Sequence, residues 1–308
     1  MPAMLVTGGA GFIGSHIVER LLGLGHEVRV LDNLSTGKRE NLESLEGEVE
    51  LLEADVRDPE AVARAVRGVD VVFHEAALAS VPRSVDDPVG SNEVNVTGTL
   101  NVLVASRDAG VRRVVYASSS SIYGDTPELP KREDMAPSPE SPYAVGKLAG
   151  ESYCSVFTSL LGVECVSLRY FNVFGPRQDP ASQYAAVVPL FITALLSGKR
   201  PTIFGDGEQS RDFTYVENVV EANMLAMDCK EAAGGVFNIA CGDTITVNQL
   251  LARLQESAGT NIEPEYADPR PGDVKHSFAD VSKARKVLGL SPGVSFGEGI
   301  ELTMSSFK

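Results

Sequence analysis

Two textures alternate along the first half of the chain. Short apolar, β-branched runs recur at Ala3 to Thr7, Glu27 to Leu31, Val49 to Glu53, Val69 to Phe73, Val111 to Ser118 and Val163 to Tyr170. Their near-continuous hydrophobicity predicts strands covered on both faces, as in a parallel sheet. Between them lie amphipathic stretches at Ser15 to Leu24, from about Asp58-Pro59, at Val89 to Ala109 and at Ser141 to Leu161. Strand and helix in repeated alternation predict an α/β fold with a doubly wound parallel sheet. Asp125 to Pro142 is rich in proline and reads as a surface loop. After Phe171-Asn172 the turn signals become denser, at Gly175-Pro176, Asp179-Pro180 and Gly205-Asp206-Gly207. We therefore expect one domain over residues 1–172 and a smaller C-terminal lobe over 173–308, with part of 212–242 returning to the first. Helices are expected near Val247 to Ala258 and Ser295 to Met304.

A chain of 308 residues is long enough for one large α/β core plus a lobe. A formal charge of −15 argues against non-specific binding to nucleic acid or to anionic membrane surfaces. Local arginines and helix N-termini can still take a phosphate ligand. Cys154, Cys165, Cys229 and Cys241 form no C-x-x-C pair, so a zinc site or disulfide framework is not expected. No leader is expected ahead of the first run, and no apolar run reaches membrane-spanning length; the cytoplasm is the default expectation.

The first run ends in Gly8-Gly9-Ala10-Gly11-Phe12-Ile13-Gly14. Glycines at Gly8, Gly11 and Gly14 permit a tight turn and a close approach of the backbone to a pyrophosphate at the helix N-terminus. A glycine turn alone says little, but one between a strand and a helix points to a dinucleotide. Asp32 closes the second strand, where a carboxylate accepts from adenosine ribose hydroxyls and repels a 2′-phosphate, favouring NAD over NADP. Lys38 and Arg39 downstream weigh the other way, and a turn cap is the bland role for Asp32. Asp55 suits either the adenine amino group or a cap for the next helix. His74 reads as a hydrogen-bonded structural histidine, since no second metal-type residue stands at ligand spacing.

Val114 to Gly124 passes from apolar residues into the hydroxyls Ser118-Ser119-Ser120-Ser121, as a buried strand does on reaching the carboxyl edge of its sheet. Tyr143 and Lys147 stand at i and i+4 and share a helix face. A lysine beside the phenol is expected to lower its pKa, fitting it to take a proton from an alcohol.

These motifs are similar to those of the extended short-chain dehydrogenases/reductases, and among them the nucleotide-sugar 4-epimerases. The resemblance runs over nearly the whole chain through Gly8-x-x-Gly11-x-x-Gly14, Asp32-Asn33-Leu34-Ser35, Asp55-Val56, Asn95, Ser119, Tyr143-x-x-x-Lys147, Arg169 to Pro176, Ser210-Arg211-Asp212 and Arg270-Pro271-Gly272-Asp273. It implies a Rossmann sheet, bound NAD, a UDP-sugar substrate, a homodimer and no metal. It implies Ser119, Tyr143 and Lys147 as catalytic residues. Around the cofactor it implies Gly8, Gly11, Phe12, Ile13, Gly14, Asp32, Asn33, Ser35, Thr36, Gly37, Asp55, Val56, Ala76, Ala77, Asn95 and Phe171, with Tyr143 and Lys147. Around the substrate it implies Ser80, Ser119, Ser120, Tyr143, Asn172, Ala186, Val187, Arg211, Arg270, Asp273 and Ser277.

Two arginines suit a diphosphate through forked, charge-assisted bonds; the bland roles are ion pairs of Arg211 with Asp212 and of Arg270 with Asp268 or Asp273. Ser120 and Ser121 follow Ser119 where sugar 4,6-dehydratases carry acids, which disfavours elimination. Ser277 stands where a tyrosine would narrow the pocket, so an N-acetylated sugar is expected to fit. The resemblance thus implies 4-epimerisation of a UDP-hexose through a 4-keto sugar. A UDP-glucuronate 4-epimerase, with Arg83 as the cation, and a non-catalytic NAD-binding regulator remain alternatives.

Overall fold

The structure is a computed structural model, and it describes residues 3–180, 186–269 and 275–308. Six strands form where the apolar runs predict them: β1 (Ala3–Thr7), β2 (Glu27–Asp32), β3 (Val49–Glu53), β4 (Val69–His74), β5 (Arg113–Ser119) and β6 (Glu164–Tyr170). A seventh strand, Val236–Ile239, pairs with β6 and completes the sheet. Its order is Val236–Ile239, β6, β5, β4, β1, β2, β3, and every pairing is parallel. The chain winds outward from β1 in both directions, which leaves a crevice beyond the carboxyl ends of β1 and β4.

Alternation along each strand feeds two cores. Met4, Val6, Val30, Phe73, Val115 and Leu168 pack under the helices Phe12–Gly23 and Val216–Asp228, with Ile17, Leu21 and Val219. Leu5, Leu31, Val72, Val114 and Cys165 face the other way, onto Val62, Val102 and Phe157 from the helices Pro59–Ala65, Thr99–Ala109 and Pro142–Leu160. A third core, built on Phe174, Phe191, Phe213, Leu250 and Ile300, holds the C-terminal elements together. Among the described residues no helix is long and apolar enough to cross a membrane.

Several boundaries differ from expectation. The first helix starts at Phe12, directly after Gly11, rather than at Ser15. The stretch from Val89 is helical from Pro88 to Ala109 but in three pieces, with a wide π-helical turn over Glu93–Gly98. A helix at Ser282–Leu288 lies where none was expected. The proline-rich loop is anchored at its middle. Lys131 N donates to Phe278 O at 2.9 Å, Asp280 N donates to Lys131 O at 2.9 Å, and the Lys131 side chain is buried against Thr126.

Candidate active site

The glycine turn leaves no room for side chains. Gly8 has φ +69°, and a Cβ there would lie 2.7 Å from the nitrogen of Ala76. A Cβ on Gly14 would lie 2.2 Å from the carbonyl oxygen of Gly8. Gly11 precedes Phe12, Ile13 and Gly14 without a side chain to cap them, so the first-turn N–H groups of Phe12–Gly23 meet no side-chain acceptor from their cap. A bare, uncapped helix N-terminus at the sheet's switch point fits the pyrophosphate of a dinucleotide.

Asp32 stands beside this turn and is nearly buried. Its carboxylate accepts from Ala10 N at 3.0 Å and Leu34 N at 2.8 Å. The bland capping role is therefore real, and each oxygen keeps a lone pair for a further donor. Burial pushes its pKa up, against the pull of those two N–H groups. Asn33, Ser35, Thr36 and Gly37 form the loop that folds back on Ala10: Lys38 N donates to Ala10 O at 2.9 Å, and a Cβ on Gly37 would meet Asp32 Oδ2 at 2.9 Å. Both downstream cations pair with carboxylates at the surface, Lys38 with Asp179 at 3.3 Å and Arg39 with Glu53 at 2.6 Å.

Asp55 is not the helix cap; that role belongs to Asp58, which accepts from Glu60 N and Ala61 N. Asp55 accepts from Asn33 Nδ2 at 2.7 Å and from Arg57, whose guanidinium beside it holds the carboxyl down at about 2. Val56 is buried against Gly98.

The segment after β4 is pinned from below. Thr99 Oγ1 donates to Asn95 O at 2.8 Å, so it accepts from His74 Nε2 at 3.0 Å; His74 Nδ1 then accepts from Thr7 Oγ1 at 2.7 Å. This network assigns the neutral tautomer with the proton on Nε2. Burial, with the charge of Lys147 second, pushes His74 down to about 3. Ala76 N donates to Thr7 Oγ1 at 3.3 Å and Asn95 Oδ1 accepts from Leu78 N at 2.9 Å, holding the backbone of Ala76 and Ala77 along the crevice. Ser80 caps the short helix Val81–Asp86 through Arg83 N.

Ser141 caps the helix Pro142–Leu160, with Pro142 in its first turn. Tyr143 and Lys147 therefore stand one turn apart at the mouth of the crevice. The Tyr143 phenol faces Ser119, the last residue of β5, near enough for that hydroxyl to favour the phenolate. Ser119 Oγ also accepts from Ser121 N at 3.1 Å, which leaves Ser120 part-exposed beside it. Lys147 is buried, its Nζ 5.9 Å from the Tyr143 ring centre. The expected lowering of the phenol pKa is not what the fold alone delivers. Burial pushes Tyr143 up; the Ser119 hydroxyl pulls it down and the charge of Glu75 pushes it up further. Burial also pushes Lys147 down, opposed by the charges of Glu75, Cys154 and Glu151.

On the lobe side, Asn172 follows Phe171, whose ring is fully buried against Tyr123 at 6.2 Å. Asn172 has φ +32° and donates through Nδ2 to Asp212 O at 3.3 Å. Strand pairing places Arg211 directly beside Ser277. Arg211 Nη1 donates to Ser210 O and Lys275 O, while Asp212 Oδ1 and Oδ2 accept from Cys241 N, Gly242 N and Ala279 N. Ala186 is exposed and Val187 opens the helix Val187–Leu196. Arg270 and Asp273 lie outside the described residues.

Sequence reasoning gave no role to three charged groups here, Arg169, Glu151 and Glu75. Arg169 on β6 and Glu151 form a two-pronged pair, Nε to Oε1 at 2.9 Å and Nη2 to Oε2 at 2.8 Å. Ser118 Oγ donates to the same Glu151 at 2.5 Å. A charged residue inside an otherwise apolar strand demands a partner, and Glu151 lies one turn beyond Lys147; that was the available signal. The third is Glu75, an acid inside His74-Glu75-Ala76-Ala77.

The family model described as the NAD dependent epimerase/dehydratase family matches residues 4–240. The chain is 44% identical over 309 residues to the UDP-glucose 4-epimerase of Mycolicibacterium smegmatis, covering 99% of this chain and 98% of that protein. Among solved structures it is similar to a UDP-N-acetylglucosamine 4-epimerase from Methanobrevibacter ruminantium in complex with UDP-N-acetylmuramic acid, with TM-score 0.95 and 42% identity over 99% of this chain and 98% of that one. The UDP-glucose 4-epimerase of Thermus thermophilus, in complex with NAD, matches with TM-score 0.90 and 45% identity over 99% and 98% of the two chains.

Proposed function

The chain belongs to the NAD-dependent epimerase/dehydratase family, with NAD as its cofactor, and on that premise we propose that it is a UDP-hexose 4-epimerase. Its substrates in this reading are UDP-glucose and UDP-galactose, together with the N-acetylated pair. The observation that carries the reading is the placing of the Tyr143 phenol by Ser119 at the switch point, with the buried Lys147 one turn on and donating to Ala117 O at 2.6 Å. Relatives named as UDP-glucose and UDP-N-acetylglucosamine 4-epimerases support it.

When bound, NAD would supply the hydride acceptor and donor for C4 of the sugar, the redox half of the reaction. The rest falls to the chain. Gly8, Gly11 and Gly14 cradle the pyrophosphate on the N-terminus of Phe12–Gly23, and Asp32 accepts from the adenosine ribose. Tyr143 takes the proton of the sugar 4-hydroxyl and later gives it back. Ser119 holds that hydroxyl in line with the phenol. Lys147 places a cation beneath the reacting oxygens and steadies the phenolate. Arg211, with Arg270, grips the diphosphate about which the sugar turns.

We further propose a two-fold homodimer. The helix Pro142–Leu160 carries exposed Val145, Val156 and Leu160, and Val89 is exposed at the entry to the neighbouring helical stretch. Such an apolar face suits isologous helix packing.

The deciding experiment is incubation with UDP-glucose, UDP-N-acetylglucosamine and UDP-glucuronate, followed by chromatography. Conversion of the first two to their 4-epimers with no net NADH is the expected result. Conversion of UDP-glucuronate alone, or of none, overturns the reading. Light scattering at micromolar concentration reads the oligomer, and a monomeric mass overturns the dimer.

A further inference from the structure

Glu75 is a carboxyl group at the reaction centre that the mechanism above does not use. It follows His74 at the end of β4, and its backbone N–H donates to Thr7 O at 3.1 Å. His74 pairs with Tyr116 on β5, so Glu75 stands level with the next residue there, Ala117. The carbonyl oxygen of Ala117 is the acceptor for Lys147 Nζ, at 2.6 Å. Glu75 reaches across the tip of β5 to Tyr170 on β6, and Tyr170 is the register partner of Ser119. The carboxyl group thus lies at the foot of the crevice, bracketed by the strand positions that hold Lys147 and Ser119.

The hydrogen bonds around it run one way. Asn223, on the helix Val216–Asp228, donates through Nδ2 to Tyr170 Oη at 2.8 Å and to Val219 O at 2.9 Å. Tyr170 Oη therefore spends its own proton on Glu75 Oε1, at 2.8 Å. A chain in which each member donates toward the carboxyl group favours an anion at its end. Tyr170 is nearly buried, so water competes little for that bond.

We propose that Glu75 is a positioning residue of this reaction centre: its carboxylate, held by Tyr170 and Asn223, is the counter-charge that keeps Lys147 protonated and so sets the pH range in which Tyr143 works. The proposal rests on the reading of Tyr143 and Lys147 given above. The titratable groups facing Glu75 are Tyr143 and Lys147 from the helix Pro142–Leu160 and Tyr170 from β6. Glu151 and Cys154 face Lys147 from its own helix. His74, next to Glu75 in the chain, stays neutral. Burial pushes Glu75 up and Lys147 down, and the opposite charge of each draws the other back toward its ionised form. The charge of Glu75 also pushes Tyr143 up. Removing that negative charge makes both Tyr143 and Lys147 easier to deprotonate.

The test is Glu75→Gln, which keeps the size of the side chain and an acceptor for Tyr170. Two measurements are made on the purified protein. A tyrosinate absorbance titration, taken as the difference from the same protein carrying Tyr143→Phe, reads Tyr143 without substrate turnover. The pH profile of kcat/KM with UDP-glucose reads the working enzyme. Both are expected to move to lower pH by about half a unit or more in Glu75→Gln. Glu75→Asp, shorter but still charged, is expected to leave them at their wild-type positions. A Tyr143 titration unmoved by Glu75→Gln overturns the proposal, as does an equal displacement in Glu75→Asp, which would assign the effect to packing. If no UDP-sugar is turned over, the epimerase reading fails while the tyrosinate titration still decides the role of Glu75.

Discussion

Lys147 donates from Nζ to the carbonyl oxygen of Ala117 at 2.6 Å, tying the helix Pro142–Leu160 to the last stretch of backbone in β5. The ammonium lies 5.2 Å from the centre of the Tyr116 ring as well. This buried cation holds the helix face that presents Tyr143 against the strand that presents Ser119. Lys147→Ala is expected to lower the NAD retained through purification and to lower turnover together, because it removes one cation from both groups. NAD released by denaturation and kcat on the same sample check this; a variant with normal cofactor content and normal kcat contradicts it.

Tyr143→Phe keeps the ring and removes the hydroxyl. Turnover is expected to fall by about 10²–10⁴, the usual loss for one acid/base group, with UDP-sugar affinity close to wild type. Calorimetric binding of UDP-glucose alongside kcat separates the two quantities. Near-normal turnover removes Tyr143 from its role.

The pair Arg169–Glu151 is buried on both sides, with side-chain exposures of 5% and 6%. Arg169 Nη1 also donates to Tyr123 Oη at 2.7 Å, and Tyr123 Oη donates to Asn238 Oδ1 at 2.7 Å, so the network runs from the helix of Tyr143 to the outermost strand. Removing one partner strands a buried charge. Arg169→Leu or Glu151→Leu is expected to cost about 3–5 kcal/mol of unfolding free energy in a urea titration. The double variant is expected to lose less than the sum of the two, since neither charge is then left alone.

Acid stability has a local contributor in Asp55. Its carboxyl is held at about 2, below the ordinary value of 3.8, first by the hydrogen bond from Arg57. A depressed folded value means stabilisation that is present above the unfolded value and is lost as pH falls through the folded one. The window is therefore about pH 4 to 2. Asp55→Asn is expected to flatten the fall of unfolding free energy across that window while lowering stability at neutral pH; a variant with the wild-type slope there contradicts the assignment.

What was legible in the chain was local. β1 to β6 announce themselves because a strand covered on both faces is a continuous apolar run, and Tyr143 with Lys147 declares a shared helix face by spacing alone. The strand Val236–Ile239 hides because its Asn238 is polar and fully buried, accepting from Tyr123 and donating to Lys131 O and Asp280 O. Those partners come from loops far away in the chain, and no periodicity encodes them. Asp212 is hidden for the same reason: its three backbone donors belong to two distant segments. The direction of the Tyr143 shift was also illegible, since burial is a property of the folded crevice and not of the i, i+4 pair.

Ser277 carries the last prediction. It lies on the short strand His276–Ser277, paired with Arg211, and its side chain is half-buried. In the proposed site Arg211 grips the diphosphate, so Ser277 stands near the sugar that hangs from it. A serine leaves volume there that a tyrosine would fill. A ring at this position would crowd a C2 acetamido group as the sugar turns, and overpacking of that kind costs about 1–3 kcal/mol, or roughly 5- to 150-fold in rate. UDP-glucose has only a hydroxyl at C2 and escapes the clash. Ser277→Tyr is therefore expected to lower kcat/KM for UDP-N-acetylglucosamine within that range while sparing UDP-glucose. Equal losses on the two substrates, or a wild-type protein inactive on the acetylated sugar, overturn the pocket argument and leave the epimerase reading to stand on Ser119, Tyr143 and Lys147.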